Sequence, residues 1–168
     1  IEANFDSMAR LISSPAVVEG KVYVGSLDKN LYCLDATSGS VKWTVKTAGY
    51  ITSSPAVVDG AVYFTSQEPN FGALYKLDAN NGTRIWKLET PYTYILENGT
   101  DMQASPTVAG GMVFSSSNKY ERYGVDAATG KIEWTYQAIN KKNFQVDSIA
   151  YHDGEVFFAD QFFIACVN

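Results

Sequence analysis

His152 is the only histidine of the 168-residue chain, and a side chain that titrates near neutral pH is the natural centre for acid–base chemistry. It stands beside Asp153-Gly154, a dipeptide that makes tight turns, so it reads as an exposed turn residue rather than a general base. The sequence has no Gly-x-Ser-x-Gly elbow, and a nucleophile–histidine–acid set would have to assemble around this one position. Asp28, Glu68, Asp101 and Asp160 fall near strand ends or loops, where oxygen ligands can gather around calcium. No Asp-x-Asp-x-Asp-Gly loop accompanies them, so each reads as a solvated surface carboxylate. Cys33 and Cys166 match neither a metal-ligand spacing nor a Cys-x-x-Cys redox motif.

A stronger pattern is repeated. "LDATSGSVKW" at 34–43 returns as "LDANNGTRIW" at 77–86 and "VDAATGKIEW" at 125–134. Each copy places Gly four residues after Asp and Trp four after Gly, giving Asp35, Gly39 and Trp43, then Asp78, Gly82 and Trp86, then Asp126, Gly130 and Trp134. The copies are either three parts of one site or one structural device used three times. The Asp side chains can accept hydrogen bonds from backbone N–H groups of the following turn, and the glycines permit positive φ before the next strand. Each Trp carries the largest apolar area of its unit, suited to the wedge between twisted sheets, and burying it contributes on the order of 2–3 kcal/mol. A site is made once, whereas packing between repeated units must be made at every joint. Three equal copies therefore favour structure over chemistry.

The elements that position these residues repeat as well. "SSPAVVEGKVYVGS" at 13–26 reappears as "SSPAVVDGAVYFTS" at 53–66 and "ASPTVAGGMVFSSS" at 104–117, with a degraded fourth copy, "DSIAYHDGEVFFAD", at 147–160. Each reads as two short strands joined by Glu19-Gly20, Asp59-Gly60, Gly110-Gly111 or Asp153-Gly154, dipeptides fitted to a tight hairpin turn. Pro15, Pro55 and Pro106 open the first strands, where a missing N–H is tolerated. A third β-rich run, the Asp-to-Gly turn and a Trp-bearing strand complete the unit. Four strands per unit, with successive Trp residues 43 and then 48 positions apart, predict an all-β propeller. Its blades fall at about 13–47, 53–89, 104–137 and 146–168, the last without its fourth strand. Residues 1–12 could supply that strand, although "NFDSMARLI" matches the other copies poorly. The alternatives are a piece of a longer propeller or a half propeller completed as a homodimer, because an unclosed array exposes an apolar blade face.

Apolar residues make up 46% of the chain, enough for a core and too interspersed with polar ones for a membrane-spanning helix. No signal peptide is legible in "IEANFDSMARLISS". A net charge of −5 with scattered Lys and Arg excludes a surface that tracks nucleic-acid phosphates. Asn81-Gly-Thr83 and Asn98-Gly-Thr100 fit the N-glycosylation pattern, and a turn explains the first equally well. Between Trp86 and Pro106 the connection is eight residues longer than between Trp43 and Pro55. This insertion, at 90–103, carries Tyr92, Tyr94, Ile95 and Leu96, and Phe71 sits in a second irregular turn at 66–72. Aromatic residues in such loops either bind a partner or pack beneath their own loop.

The Asp-Ala-x-x-Gly-x-x-x-Trp core and the "SSPAVV-D/E-G-x-VYV" hairpin closely resemble the repeats of PQQ-type β-propellers, from about Ile12 to Asn168. That superfamily includes quinoprotein alcohol dehydrogenases, BamB-like envelope proteins and many cell-surface propellers. The resemblance implies a tryptophan-docking role for the repeated motif and an extracellular, periplasmic or cell-surface location. It implies two functions: a non-catalytic module binding a protein partner, or a segment of a quinoprotein dehydrogenase. The second would need PQQ, calcium, a stacking Trp and adjacent cysteines. All three Trp residues belong to the repeated motif and the cysteines are far apart, so the expectation is a binding module without cofactor.

Overall fold

Both residues of every hairpin turn lie at positive φ: Glu19 and Gly20 at 49° and 71°, Asp59 and Gly60 at 49° and 71°, Gly110 and Gly111 at 59° and 76°, Asp153 and Gly154 at 46° and 90°. Such turns match the twist of the strands they join, and each closes an antiparallel pair in the computed structural model. The structure describes residues 9–69, 71–91, 104–116, 121–137, 148–159 and 164–167.

Among the described residues, three sheets of four strands and one of three follow one another along the chain. The first is β1 (Ala16–Val18), β2 (Lys21–Gly25), β3 (Asn30–Asp35) and β4 (Val41–Lys46); the second is β5 (Ala56–Val58), β6 (Ala61–Glu68), β7 (Phe71–Asp78) and β8 (Arg84–Pro91). The third is β9 (Thr107–Ala109), β10 (Met112–Ser116), β11 (Glu121–Asp126) and β12 (Ile132–Gln137); the fourth is β13 (Ser148–His152), β14 (Glu155–Ala159) and β15 (Ile164–Val167). Within each, strands pair in chain order. The first three units therefore carry the four strands expected of each, and the fourth carries β13, β14 and β15 among the described residues. The innermost strands β1, β5, β9 and β13 are neighbours in that order, and the chain is an array of β-propeller blades.

Each first strand begins one residue after its proline, at Ala16, Ala56 and Thr107. The repeated serines before proline have specific work. Ser13 Oγ donates to Gly25 O at 3.1 Å and accepts from Gly25 N at 2.9 Å; Ser53 makes the same pair of bonds to Thr65, at 3.0 and 2.9 Å. The next serine links the sheets. Ser14 N donates to Ser54 Oγ at 2.9 Å, and Ser54 N donates to Ser105 Oγ at 2.8 Å.

The core lies between sheets rather than inside one. Tyr23, Leu31 and Cys33 on the forward face of the first sheet pack with Val62, Phe64, Tyr75 and Leu77 on the rearward face of the second. Tyr63 and Leu74 of the second meet Val113, Tyr123 and Val125 of the third, and Phe114 meets Ile149, Val156 and Phe158 of the fourth. The second sheet is the exception in length: β6, β7 and β8 each span eight residues. It therefore reaches Pro91, past the boundary at 89 expected from the repeat.

Candidate functional site

The repeated turn is built the same way three times. Asp35 Oδ1 accepts from Thr37 N at 3.0 Å and Ser38 N at 2.9 Å; Asp78 Oδ1 accepts from Asn80 N at 2.8 Å and Asn81 N at 3.2 Å; Asp126 Oδ1 accepts from Thr129 N at 2.7 Å and Thr129 Oγ1 at 2.6 Å. The Ser38 amide, then the Lys42 ammonium 3.0 Å away, hold the Asp35 carboxyl well below the usual carboxylate range. The Thr129 hydroxyl and amide do the same for Asp126. Gly39, Gly82 and Gly130 sit at φ of 72°, 73° and 75°. The alanine after each Asp ties the turn to the hairpin at the other end of its sheet's first strand: Ala36 N donates to Gly20 O, Ala79 N to Gly60 O and Ala127 N to Gly111 O, all within 2.9 Å.

The turns also meet the preceding sheets. Trp43 Nε1 donates to Ala79 O at 3.3 Å, and Trp86 Nε1 donates to Ala127 O at 3.1 Å. A β-carbon added at Gly82 would stand 2.9 Å from the Trp43 ring, and one at Gly130 would stand 2.8 Å from the Trp86 ring. Each indole thus rests on the glycine of the next sheet's turn. Beside them lie Tyr23, 5.8 Å from Trp43 between ring centroids, and Tyr63, 6.0 Å from Trp86. Tyr23 donates to the same Ala79 carbonyl at 3.0 Å, and burial pushes its phenol up to about 12. Burial likewise raises the Cys33 thiol.

Trp134 differs. Its ring lies over Gly124 of its own sheet and meets Phe158 edge-on at 6.2 Å. Among the described residues no carbonyl accepts from its Nε1, and the position equivalent to Ala79 and Ala127 on the fourth sheet would follow Asn168.

A second cluster stands where β6 and β7 outgrow the repeat. Glu68 is a correction to the sequence reading: its carboxylate is buried, not solvated. It accepts from the Tyr75 hydroxyl and from Lys87 Nζ at 3.0 Å. Lys87 also reaches Glu89 at 2.9 Å and lies 4.7 Å over the Phe71 ring. Burial works against the Lys87 charge, but Glu89 and Glu68 outweigh it and hold its pKa above the usual lysine value. Burial and the hydrogen bond to Glu68 raise Tyr75. Phe71 packs against the core between the first two sheets. No sequence signal marked this burial: β6 runs three residues longer than β2 and β7 two longer than β3, and that extension carries Glu68 inward.

Asp28 is half-buried and also more than a surface charge, accepting from Tyr32 Oη at 2.6 Å and Asn30 N at 2.9 Å. His152 is exposed, 3.5 Å from the exposed Asp153. Cys33 is buried and Cys166 exposed, on the first and fourth sheets. Tyr92, Tyr94, Ile95, Leu96, Asp101 and Asp160 lie outside the described residues. Among the described residues no three of His, Cys, Asp and Glu converge on a possible metal position, and no helix is long and apolar enough to cross a membrane.

Known proteins place this architecture. The chain superposes on BamB from Moraxella catarrhalis with a TM-score of 0.69 at 18% identity, covering 92% of this chain and 45% of that one. It superposes on the quinohemoprotein alcohol dehydrogenase ADHIIG from Pseudomonas putida HK5 with a TM-score of 0.65 at 20% identity, covering 86% of this chain and 31% of that one. The computationally designed Ika4 protein gives 0.77 at 12% identity, covering 96% and 92%. In sequence, 90 residues are 28% identical to the dehydrogenase subunit of a quinone alcohol dehydrogenase from Gluconobacter oxydans (strain 621H), 49% of this chain and 12% of that protein. The chain thus spans less than half the length of these natural relatives. The sequence profile of the outer membrane protein assembly factor BamB matches residues 3–101 and 95–164, and the chain belongs to that family of PQQ-type propeller repeats.

Proposed function

We propose that this chain is a non-catalytic propeller module of the cell envelope or exterior that binds a protein partner. The observation that carries the reading is the engagement of the indoles. Trp43 and Trp86 each have a glycine of the next sheet against one part of the ring, an aromatic neighbour within 6.0 Å, and their N–H donated across the joint. A quinone stacked on either ring would displace one of these contacts. The cysteines are on different sheets, Asp35, Asp78 and Asp126 are engaged in their turns, Asp28 with Tyr32, and Glu68 with Tyr75 and Lys87. The described residues therefore do not fit PQQ with calcium. The envelope location is supported by the family's description as an outer membrane assembly factor.

The binding surface we assign is the end of the second sheet that outgrows the repeat, where the insertion at 90–103 leaves β8; Phe71, the first residue of β7, packs against the core and is not part of it. Two measurements test this. Titration of PQQ with calcium, followed by tryptophan fluorescence, is expected to give no saturable change; one-to-one quenching would instead establish the quinoprotein reading. A photoreactive residue at position 94 is expected to give a discrete adduct in envelope fractions, and one at position 44 none. Equal labelling at both positions would overturn the assignment of the surface.

A further inference from the structure

The three repeated turns differ at the residue before their glycine, which is Ser38 in the first, Asn81 in the second and Thr129 in the third. In each, the side-chain oxygen of that residue accepts from the amide two positions on: Ser40 N at 3.3 Å, Thr83 N at 2.8 Å and Lys131 N at 3.3 Å. Asn81 alone of the three brings an electrophilic carbon with that oxygen, and the Thr83 N–H polarises it. The residue is exposed, and the amide that follows belongs to Gly82, where no β-carbon hinders the nitrogen.

The joint between the first two sheets restrains this pair. Gly82 N donates to Asp78 O at 2.9 Å, its φ is 73°, and the Trp43 ring fills the space of a β-carbon. From the first sheet Lys21 Nζ also donates to Asn80 Oδ1 at 2.7 Å. For the Gly82 nitrogen to attack the Asn81 side chain it must leave Asp78 O, so the turn must open beneath the indole.

We propose that Asn81 is a site of spontaneous deamidation gated by this joint, and that its product keeps the joint from closing. The Gly82 amide loses its proton to solvent base and its nitrogen bonds to Asn81 Cγ. The Cγ–Nδ2 bond breaks, Nδ2 leaves as ammonia, and a five-membered succinimide remains. Water then opens the ring at either carbonyl. One opening leaves aspartate at position 81; the other routes the backbone through Cγ as isoaspartate, with one more carbon between residue 81 and Gly82. That longer turn cannot hold Gly82 both against Trp43 and on Asp78 O. Either product also sets a new carboxylate beside Asp78, whose Oδ1 already accepts from Asn80 N and Asn81 N.

The test is incubation of the full chain at mildly alkaline pH, followed by peptide mapping and isoaspartate-specific enzymatic methylation. Acid is expected to accumulate at position 81 while Asn80, equally exposed but followed by a bulkier residue, stays an amide. The other Asn-Gly pair, Asn98-Gly99, lies outside the described residues and is followed on its own peptide. Trp43→Phe keeps a ring over Gly82 and gives up the bond to Ala79 O, so it is expected to speed conversion at 81 by roughly fivefold. Should that variant fail to fold, Lys21→Met, which removes only the ammonium on Asn80, takes its place with the same direction expected. In the purified isoaspartyl chain the Trp43 indole N–H should exchange faster and that of Trp86 stay slow. Asn81→Ser, which carries the first turn's residue, should keep both slow through the same incubation. Conversion at 81 no faster than at Asn80 overturns the site. A rate that loosening the joint leaves unchanged overturns the gating, and a slow Trp43 signal in the isoaspartyl chain overturns the consequence.

Discussion

Gly82 carries two constraints at once, and they can be separated. Its φ of 73° disfavours any β-carbon, and the Trp43 ring occupies the space that carbon would take. Gly60 has the same backbone, at 71°, with nothing within 4 Å of an added β-carbon. Gly60→Ala is therefore expected to cost about 1–2 kcal/mol from conformation alone. Gly82→Ala should cost roughly 1–3 kcal/mol more, from overpacking against the indole. Urea unfolding of the two variants checks this, and equal losses would mean that the indole does not hold the joint. The Asp35 carboxyl makes a pH prediction. Its folded pKa lies below the unfolded value of about 3.9, so its contribution is present above that value and fades as the pH falls below it. The gap in Tm between wild type and Asp35→Asn should be open at pH 6 and narrow toward pH 2. The side chain is only half-buried and stays in reach of solvent ions, so salt should narrow it too.

At the scale of elements, the extended hairpin of β6 and β7 is held by a buried carboxylate with a single cation. Lys87→Met strands Glu68 beside Tyr75, which is expected to cost about 3 kcal/mol. Adding Glu68→Gln should return part of that loss, making the double variant more stable than the single one. Additive losses would show that the pair contributes separately. The same hairpin marks where the sequence stops being readable. Asp59-Gly60 and the spacing from Asp78 to Trp86 announced strands and turns, because positive φ and a repeated turn leave few residue choices. Glu68 next to Pro69 gave no such sign: whether a carboxylate at a strand end is solvated depends on how far the strands run, and that is settled by pairing across β6 and β7. Ser14, Ser54 and Ser105 were legible as repeated letters but not as a hydrogen-bonded line, since serine before proline serves many turns. The third sheet shows the converse, where Trp134 keeps the motif and changes its contact because Gly124 leaves room beneath it.

For the whole molecule, the account rests on one joint made repeatedly, with Trp on one sheet and the Ala-to-Gly turn of the next as its two halves. The periodicity carried the architecture and the four-stranded unit, because each joint repeats its residues. The partner surface we propose was less legible: the residues that set it apart are those that break the period, and a broken period has no internal template to be read against. The joint itself is open to direct observation through the three indole N–H signals, assigned by nuclear magnetic resonance and followed by hydrogen exchange. Trp43 and Trp86 donate across joints at 3.3 and 3.1 Å, and Trp134 has no acceptor among the described residues. A hydrogen bond of about 1 kcal/mol should slow exchange of the first two by roughly fivefold or more relative to the third. Two slow signals and one fast one are the expected result; three equal rates, or a slow Trp134, would contradict the joint as the unit from which this propeller is built.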